Sequence, residues 1–326
     1  MQFQGNTKVV SRDISLRLEN FRTEVLSGLR KPQRELPSKY FYDEKGAHLF
    51  ELICALDEYY IPRFEATIME TCIIEVAKLI GPQVFLLEYG SGSCQKVRLL
   101  LDNLQSPIAY SPIDISRGQL IQASRELRLD YPHLELLPVC ADYTNTFELP
   151  IPRQKYNRRV VYFPGSTISN FNPEPAVCFL EHLARVCGAG GGLLISVDLK
   201  KDPIVLHRAY NDSQGITAAF NLNLLERINR ELGSDFMLDS FEHYAFYHPP
   251  KNRMEMHLVS LRRQEVHIGE YSTLFQKGES IWTESSYKFN FDEFEWLAAK
   301  AGFKVKHVWT DRQNWFSIQY LEYTAH

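Results

Sequence analysis

Long apolar runs, basic clusters and patterned cysteines are all missing from this chain of 326 residues. No apolar stretch approaches the length of a bilayer-crossing helix, and the opening MQFQGNTKVVSRD has no apolar signal core. Neither membrane nor export is therefore expected, and the cytoplasm is the default. Lysine and arginine total 36 against 40 aspartates and glutamates, a net charge of −4, and no long basic run occurs, so no nucleic-acid partner is expected. The six cysteines (Cys54, Cys72, Cys94, Cys140, Cys178, Cys187) form no C-x-x-C pair and show no zinc-type spacing. Several lie in apolar runs, where cysteine acts as a small hydrophobe, and they read as reduced and non-ligating. The ten histidines show no H-x-x-x-H spacing, so no metal is expected. Repeats and low-complexity tracts are also absent. What remains, 44% hydrophobic and 23% charged, is ordinary for a soluble globular enzyme, with length for one large domain or two intimate ones.

Among the features present, the segment VFLLEYGSGS, residues 84–93, is the most informative. Val84, Phe85, Leu86 and Leu87 read as a buried strand that ends in the acid Glu88, then Gly90 and Gly92, with a helical pattern following at once. Strand, glycine turn and helix bring backbone against a nucleotide-like ligand in doubly wound sheets, and glycine allows the positive φ such a turn requires. The spacing is not the dinucleotide fingerprint, because Gln95 stands where the third glycine belongs. An acid ahead of the glycines would also repel a pyrophosphate. Glu88 suits a ligand carrying positive charge, such as the amino and sulfonium groups of S-adenosylmethionine. Asp114, at the end of the apolar segment 108–115, is placed for ribose hydroxyls. Asp142, with Tyr143, follows the segment 134–140 and is placed for an adenine amino group. Acids at three successive strand ends form the pattern of a class I methyltransferase.

From residue 84 the chain alternates strand and helix: strands over 84–89, 109–115, 134–141, 159–164 and 192–198, and helices near 95–104, 117–130 and 174–187. That rhythm predicts a parallel sheet with helices on both faces. It breaks over 199–287, where a helix at 215–232 precedes strand-like alternation in 240–248, 253–262 and 280–288. A helix at 292–301 and strands near 303–309 and 316–323 then restore it. The expected architecture is α/β, a Rossmann-like class I methyltransferase sheet with an inserted α+β substrate-binding domain. Residues 61–198 with 288–326 would form the donor-binding domain, and 1–60 with 199–287 a lid over the C-terminal ends of the strands.

The lid candidates carry specific detail. PSKYFYDEKGAHLFELICALDEYYIPRFE gathers Tyr40, Phe41, Tyr42, Phe50, Tyr59 and Tyr60, which on composition alone reads more readily as core than as site. GSTISNF, 165–171, sets the carboxamide of Asn170 after a predicted strand. With DPIVLHRAYNDSQGITAAFNLNLLERINREL, RMEMHLVS and IWTESSYK, these motifs make the chain, from about Leu36 to its end, resemble the histidine-specific Nα-methyltransferases of ergothioneine biosynthesis. The wider superfamily also contains fungal N-methyltransferases of tryptophan derivatives, so tryptophan or another aromatic amino acid is the alternative substrate.

The resemblance implies trimethylation of the α-amino group of L-histidine to its betaine, hercynine, with S-adenosylmethionine as methyl donor and no metal. By motif, it places Gly90, Lys96, Asp114, Asp142 and Tyr143 around the donor, beside Glu88, and Tyr42 at the reacting centre as the catalytic group. It gives the substrate carboxylate to Asn170 and Tyr210, and the imidazole to Glu284 and Ser286 with Met256 on its flank. Phe50, Tyr59 and Gly165 shape the rest of the pocket. The expected partner is a small molecule alone, and the expected state a monomer. The chain departs from the family pattern in places. Tyr89 and Cys94 stand where ELGSGSS is more usual, Tyr143 replaces a common phenylalanine, and Ser169 stands where GSTIGNF is usual. None of these removes a proposed ligand, but Ser169 beside Asn170 threatens the geometry of the carboxylate clamp.

Plainer readings stand beside these. Glu284 and Ser286 would serve equally as the solvated face of a strand, Asn170 as a helix cap before Pro173, Met256 as core packing and Lys96 as an exposed first-turn residue. A nicotinamide oxidoreductase shares the sheet but wants the missing glycine. A non-catalytic binding module predicts an eroded pocket, whereas the aromatic and polar set is complete.

Overall fold

In the computed structural model, which describes residues 14–145 and 147–324, strand Val84–Tyr89 is buried at every position and lies inside an eight-stranded sheet. The opening MQFQGNTKVVSRD, and the last two residues of the segment 288–326, lie outside the described residues. From the central strand the chain goes first to one side, pairing in parallel with Ala109–Asp114, and then to the other, pairing in parallel with Arg158–Phe163. Gly192–Asp198 continues the parallel order, Phe316–Tyr323 runs antiparallel beside it, and Phe303–Thr310 closes the edge. This is the class I methyltransferase sheet, and the reversal of direction at the central strand creates the crevice where such sheets bind ligands. The VFLL run has no polar face because neither side meets water. Val84 and Leu86 enter one hydrophobic core, while Phe85, Leu87 and Tyr89 enter the other.

The predicted elements hold to within a residue or two, with one break. The single strand predicted over 134–141 is two short ones, Glu135–Leu136 and Val139–Cys140. Opposite the gap sits Pro112, which pairs with Glu88 on its other side and has no N–H to give the Leu137 carbonyl. The Ser111 hydroxyl donates to that carbonyl instead, at 2.7 Å. Helix Pro203–Tyr210 and the hairpin Gln264–Ile268/Tyr271–Phe275, joined through Gly269 at φ 61°, have no counterpart in the predicted pattern.

The inserted segment, joined by the short N-terminal strand Arg34–Glu35, builds a second, four-stranded sheet in the order Arg34–Glu35, Ser280–Tyr287, Arg253–Ser260, Phe241–His248. Helix Ile216–Leu232 covers its apolar face, with the Phe220 ring 4.5 Å from Phe41. The two sheets join where Phe289 donates its N–H to the Asp198 carbonyl, at 3.1 Å. Strand Ser280–Tyr287 carries a bulge: Trp282 pairs with His257 but Glu284 pairs with Met256, leaving Thr283 as the extra residue. In a regular strand Trp282 and Glu284 would share a face, so the bulge turns Glu284 and Ser286 to the face that carries Met254 and Met256. Among the described residues no helix is long and apolar enough to cross a membrane.

Candidate functional site

A cavity of about 680 Å³ opens at the C-terminal ends of the parallel strands, and Tyr42, Glu88, Gly90, Lys96, Asp114, Asp142 and Tyr143 all line it. Gly90 has φ 73°, and a Cβ there would stand 3.8 Å from the Tyr143 ring. The backbone conformation, not crowding, therefore calls for glycine. Asp114 accepts the N–H of Gly92 at 2.8 Å and of Ser116 at 2.7 Å, which fixes the glycine loop to the neighbouring strand end. Burial raises its pKa, and those amides work against the rise.

Glu88 is almost wholly buried and accepts the Tyr110 hydroxyl. Burial pushes its pKa up to about 8, against the pull of Tyr110 and Lys96, so near neutrality the carboxyl takes up a proton. Asp142 behaves differently. Although burial opposes its charge, Thr144 and Lys39 hold the carboxyl below the usual range. It accepts from Lys39 at 3.0 Å, from Asn145 at 2.8 Å and from the Thr144 hydroxyl at 2.6 Å. The Lys96 ammonium, on the first residue of helix Lys96–Asn103, faces the cavity and pairs with Glu65 at 2.5 Å.

A second cavity of about 70 Å³ lies alongside, lined by Tyr42, Phe50, Tyr59, Gly165, Asn170, Tyr210, Met256, Glu284 and Ser286. Tyr42, Phe50, Gly165, Thr167, Asn170 and Glu284 line both, and form the neck between them. Every residue given a donor- or substrate-binding place from the sequence thus falls on one cavity or the other, whereas Tyr40, Phe41 and Tyr60 of the aromatic segment belong to the core. The plainer readings hold in part: Lys96 is a half-exposed first-turn residue as well as a cavity wall. The first turn of helix Pro173–Cys187 is preceded by Asn172, not Asn170. Ser286 is 3% exposed, so no solvated face exists at that point. Met256 is both core and wall.

The walls of the small cavity are aromatic. Tyr42 and Phe50 meet edge to face at 5.5 Å, Phe50 and Tyr59 at 6.4 Å, and Tyr59 and Tyr210 at 6.3 Å. Burial raises the pKa of Tyr42 and Tyr59 well above the ordinary value, keeping both hydroxyls neutral. Glu284 is pushed up to about 7 by burial, with Lys288 opposing the rise. Among the described residues no side-chain hydrogen-bond partner is found for Tyr42, Tyr59, Asn170 or Glu284. Polar groups that line a cavity without a protein partner are free to meet a ligand, so this arrangement is suited to one that satisfies them together.

Ser169 is tied into its own turn, beside Asn170. Its N–H closes the turn onto the Ser166 carbonyl at 2.9 Å, and its hydroxyl reaches Ser166 and, at 3.4 Å, the Ser286 hydroxyl. Residues that the sequence reading passed over include Glu65, Phe220, Lys39 and Lys288. Phe220 was signalled by its place on the apolar face of a recognised helix. Glu65 sits in an apolar-periodic stretch, IPRFEATIMETCII, where a charge on the buried face is the available signal. Among the described residues no group of three or more His, Cys, Asp or Glu side chains is placed to hold a metal ion.

Comparison with known proteins agrees with this geometry. The profile of a family described as histidine-specific methyltransferases, S-adenosylmethionine-dependent, matches residues 21–323. The histidine N-alpha-methyltransferase of Mycolicibacterium smegmatis is 39% identical over 305 residues, covering 92% of this chain and 94% of that protein. Its counterpart of the same name in Mycobacterium tuberculosis is 39% identical over 302 residues, covering 91% and 93%. Ergothioneine biosynthesis protein 1 of Neurospora crassa, a longer chain, is 31% identical over 311 residues, covering 89% of this chain and 34% of that one.

Proposed function

The chain belongs to the histidine-specific, S-adenosylmethionine-dependent methyltransferase family, and we propose that it trimethylates the α-amino group of L-histidine to hercynine, the first step of ergothioneine biosynthesis. One juxtaposition carries this reading: unpaired Tyr42, Asn170 and Glu284 stand on the neck between a nucleotide-sized cavity edged by strand-end acids and a small aromatic one. The methyl donor, when bound, supplies an electrophilic methyl group on a sulfonium. Gly90, Lys96, Asp114, Asp142 and Tyr143 hold it, and Glu88 faces its positive charge, which favours the ionised carboxylate that burial alone disfavours. Residues 61–198 with 288–326 make that donor-binding half, and 1–60 with 199–287 the substrate-binding lid.

The substrate amine must present a neutral lone pair, yet α-amino groups titrate near pH ~8 or above. Tyr42 holds the amine with a neutral hydroxyl, and alignment and desolvation do more than any strong base. Each transfer moves the methyl to the nitrogen as the sulfonium becomes a neutral thioether and leaves an ammonium; the first two products lose a proton to solvent before the next transfer, and the last is a quaternary ammonium with no N–H. Tyr42, Phe50 and Tyr59 present aromatic faces that stabilise such a cation by roughly 0.5–2 kcal/mol each. They tolerate every methylation state. Asn170 and Tyr210 receive the carboxylate. Glu284 accepts an imidazole N–H, and a ligand unable to donate would leave that group buried and unpaired at a cost of about 1–3 kcal/mol. Met256 crowds a ring as large as indole.

The test is mass spectrometry of products after incubation with the donor and an equimolar panel of histidine, tryptophan, tyrosine and phenylalanine. Three methyl groups on histidine alone is the expected result. Methylation of tryptophan in its place would overturn the roles given to Glu284 and Met256.

A further inference from the structure

Behind the small cavity lies a buried cluster that the proposed chemistry does not use. Lys201 and Lys288 have side chains that are 0% exposed, and both ion-pair with the equally buried Asp198. Two ammonium groups against one carboxylate is an unusual surplus of positive charge for a protein interior. The protons of this cluster can be accounted for one by one. Lys201 donates to Asp198, to Tyr60 Oη at 2.8 Å and to the Leu199 carbonyl at 2.6 Å. Tyr60 gives its proton to Asp198, 2.7 Å from Oδ2. Lys288 donates to Asp198 at 2.7 Å, to Tyr210 Oη at 3.1 Å and to Ser286 Oγ at 2.7 Å. An ammonium has three N–H groups and no acceptor, so Tyr210 and Ser286 stand as acceptors towards Lys288.

Their own protons must therefore point elsewhere. Among the described residues no carbonyl or carboxylate accepts from Tyr210. The Ser286 hydroxyl is hydrogen-bonded to Tyr210 as well as lying 3.4 Å from the Ser169 oxygen, so the Tyr210 oxygen accepts from both Lys288 and Ser286 and its own proton is the one left to point into the cavity. Both hydroxyls line the small cavity.

We infer that Lys288, directly and through Ser286, is a positioning residue that commits Tyr210 as a hydrogen-bond donor into the substrate pocket. This rests on the reading of that pocket as an amino-acid site. Tyr210 then donates to the substrate carboxylate, whose negative charge the surplus ammonium behind it favours. Loss of Lys288 frees the Tyr210 hydroxyl to turn round, so the donor is no longer fixed although no contact to the ligand is removed.

The test is a double-mutant cycle on L-histidine affinity, read by calorimetry, with Lys288→Met, Tyr210→Phe and the pair, and donor affinity measured on each. Lys288→Met is expected to weaken histidine binding about tenfold, the scale of one charge-assisted hydrogen bond, with donor affinity unchanged. Tyr210→Phe should cost much less in the Lys288→Met background than alone, because the donor it removes is no longer fixed. Asn170→Ala, which has no bond to Lys288, should add independently. Additive effects of Lys288→Met and Tyr210→Phe, or equal losses of histidine and donor affinity, would overturn the inference in favour of a purely structural lysine. If Lys288→Met does not fold, Lys288→Gln, which keeps a donor but not the charge, runs the same cycle with the same criteria. The wild type separates the two claims: failure to bind or methylate histidine overturns the pocket reading and this inference together, whereas methylation with additive effects overturns the inference alone.

Discussion

The Glu65 carboxylate, carried on helix Ile61–Ile80, accepts the Gly165 N–H at 2.7 Å and so ties the loop between the two cavities to a helix far away in sequence. The same carboxylate takes the Ser196 hydroxyl and the Lys96 ammonium. Gly165 has φ 75° and lines both cavities, so one acid sets the height of the wall they share. Glu65→Gln keeps the shape but cannot serve three donors as well. Hydrogen bonds to charged groups contribute about 1.5–3 kcal/mol, so a loss of that order is expected in chemical denaturation. Weaker binding of donor and histidine alike should accompany it. Unchanged donor affinity would refute the role of Glu65 in the shared wall.

Burial pushes the pKa of Glu284 up to about 7, and the carboxylate accepts an imidazole N–H more strongly than the neutral acid does. kcat/KM for histidine should therefore fall as pH drops through 7, since that ratio reports the free enzyme. Glu284→Gln should lower kcat/KM by about 10- to 100-fold at pH 8, matching 1–3 kcal/mol, and leave only the acid limb that histidine itself contributes. A pH–rate profile of both proteins checks this. An identical acid limb in the variant would assign it wholly to the substrate.

Glu88 gives a stability prediction with a definite sign. Its folded pKa is about 8 against an ordinary 4.5, so the folded chain holds a proton that the unfolded chain has lost. Stability from the protonated form is intact below pH 4.5 and is lost as pH rises towards 8. Glu88→Gln keeps an acceptor for Tyr110 and removes the buried charge. It should stabilise the ligand-free protein at pH 8.5 by on the order of 2 kcal/mol, with little change at pH 4.5. Donor affinity should fall at the same time. Thermal melts at the two pH values, with and without donor, measure both effects.

Phe50→Leu retains apolar volume and removes one aromatic face. At roughly 0.5–2 kcal/mol per face, the third transfer should slow by about 2- to 30-fold relative to the first. Mono- and dimethylhistidine should accumulate in a time course followed by mass spectrometry. A product pattern like that of the wild type would remove Phe50 from the cation-holding role.

The doubly wound half was legible because its signals are local. VFLLEYGSGS states burial, turn and close approach within ten residues, and Asp114 and Asp142 mark the next strand ends. The aromatic and polar pocket residues were reached through motif resemblance, since nothing local says that Tyr42 and Glu284 share a neck. The charge cluster was out of reach. Lys288 follows TESSY as any surface lysine would, and its burial arises only when Phe289 pairs with Asp198 and draws the strand end inward. The broken strand opposite Pro112 was readable in principle, since the proline stands in plain view in AYSPID. Its effect, however, falls on a neighbouring strand, where patterns along one segment give no sign.

The bulge at Thr283 has a consequence for carrying residue roles from this chain to another. Thr283 fills its extra place with a hydroxyl bonded to the Met256 carbonyl at 3.0 Å, and beyond it the strand is regular as far as Tyr287. A relative one residue shorter at that point would still turn its acid to the pocket, because the face beyond the bulge is anchored from the Lys288 end. Counting forward from Trp282 would then name the wrong residue as the reader of the ring, while counting back from Lys288 would name the right one.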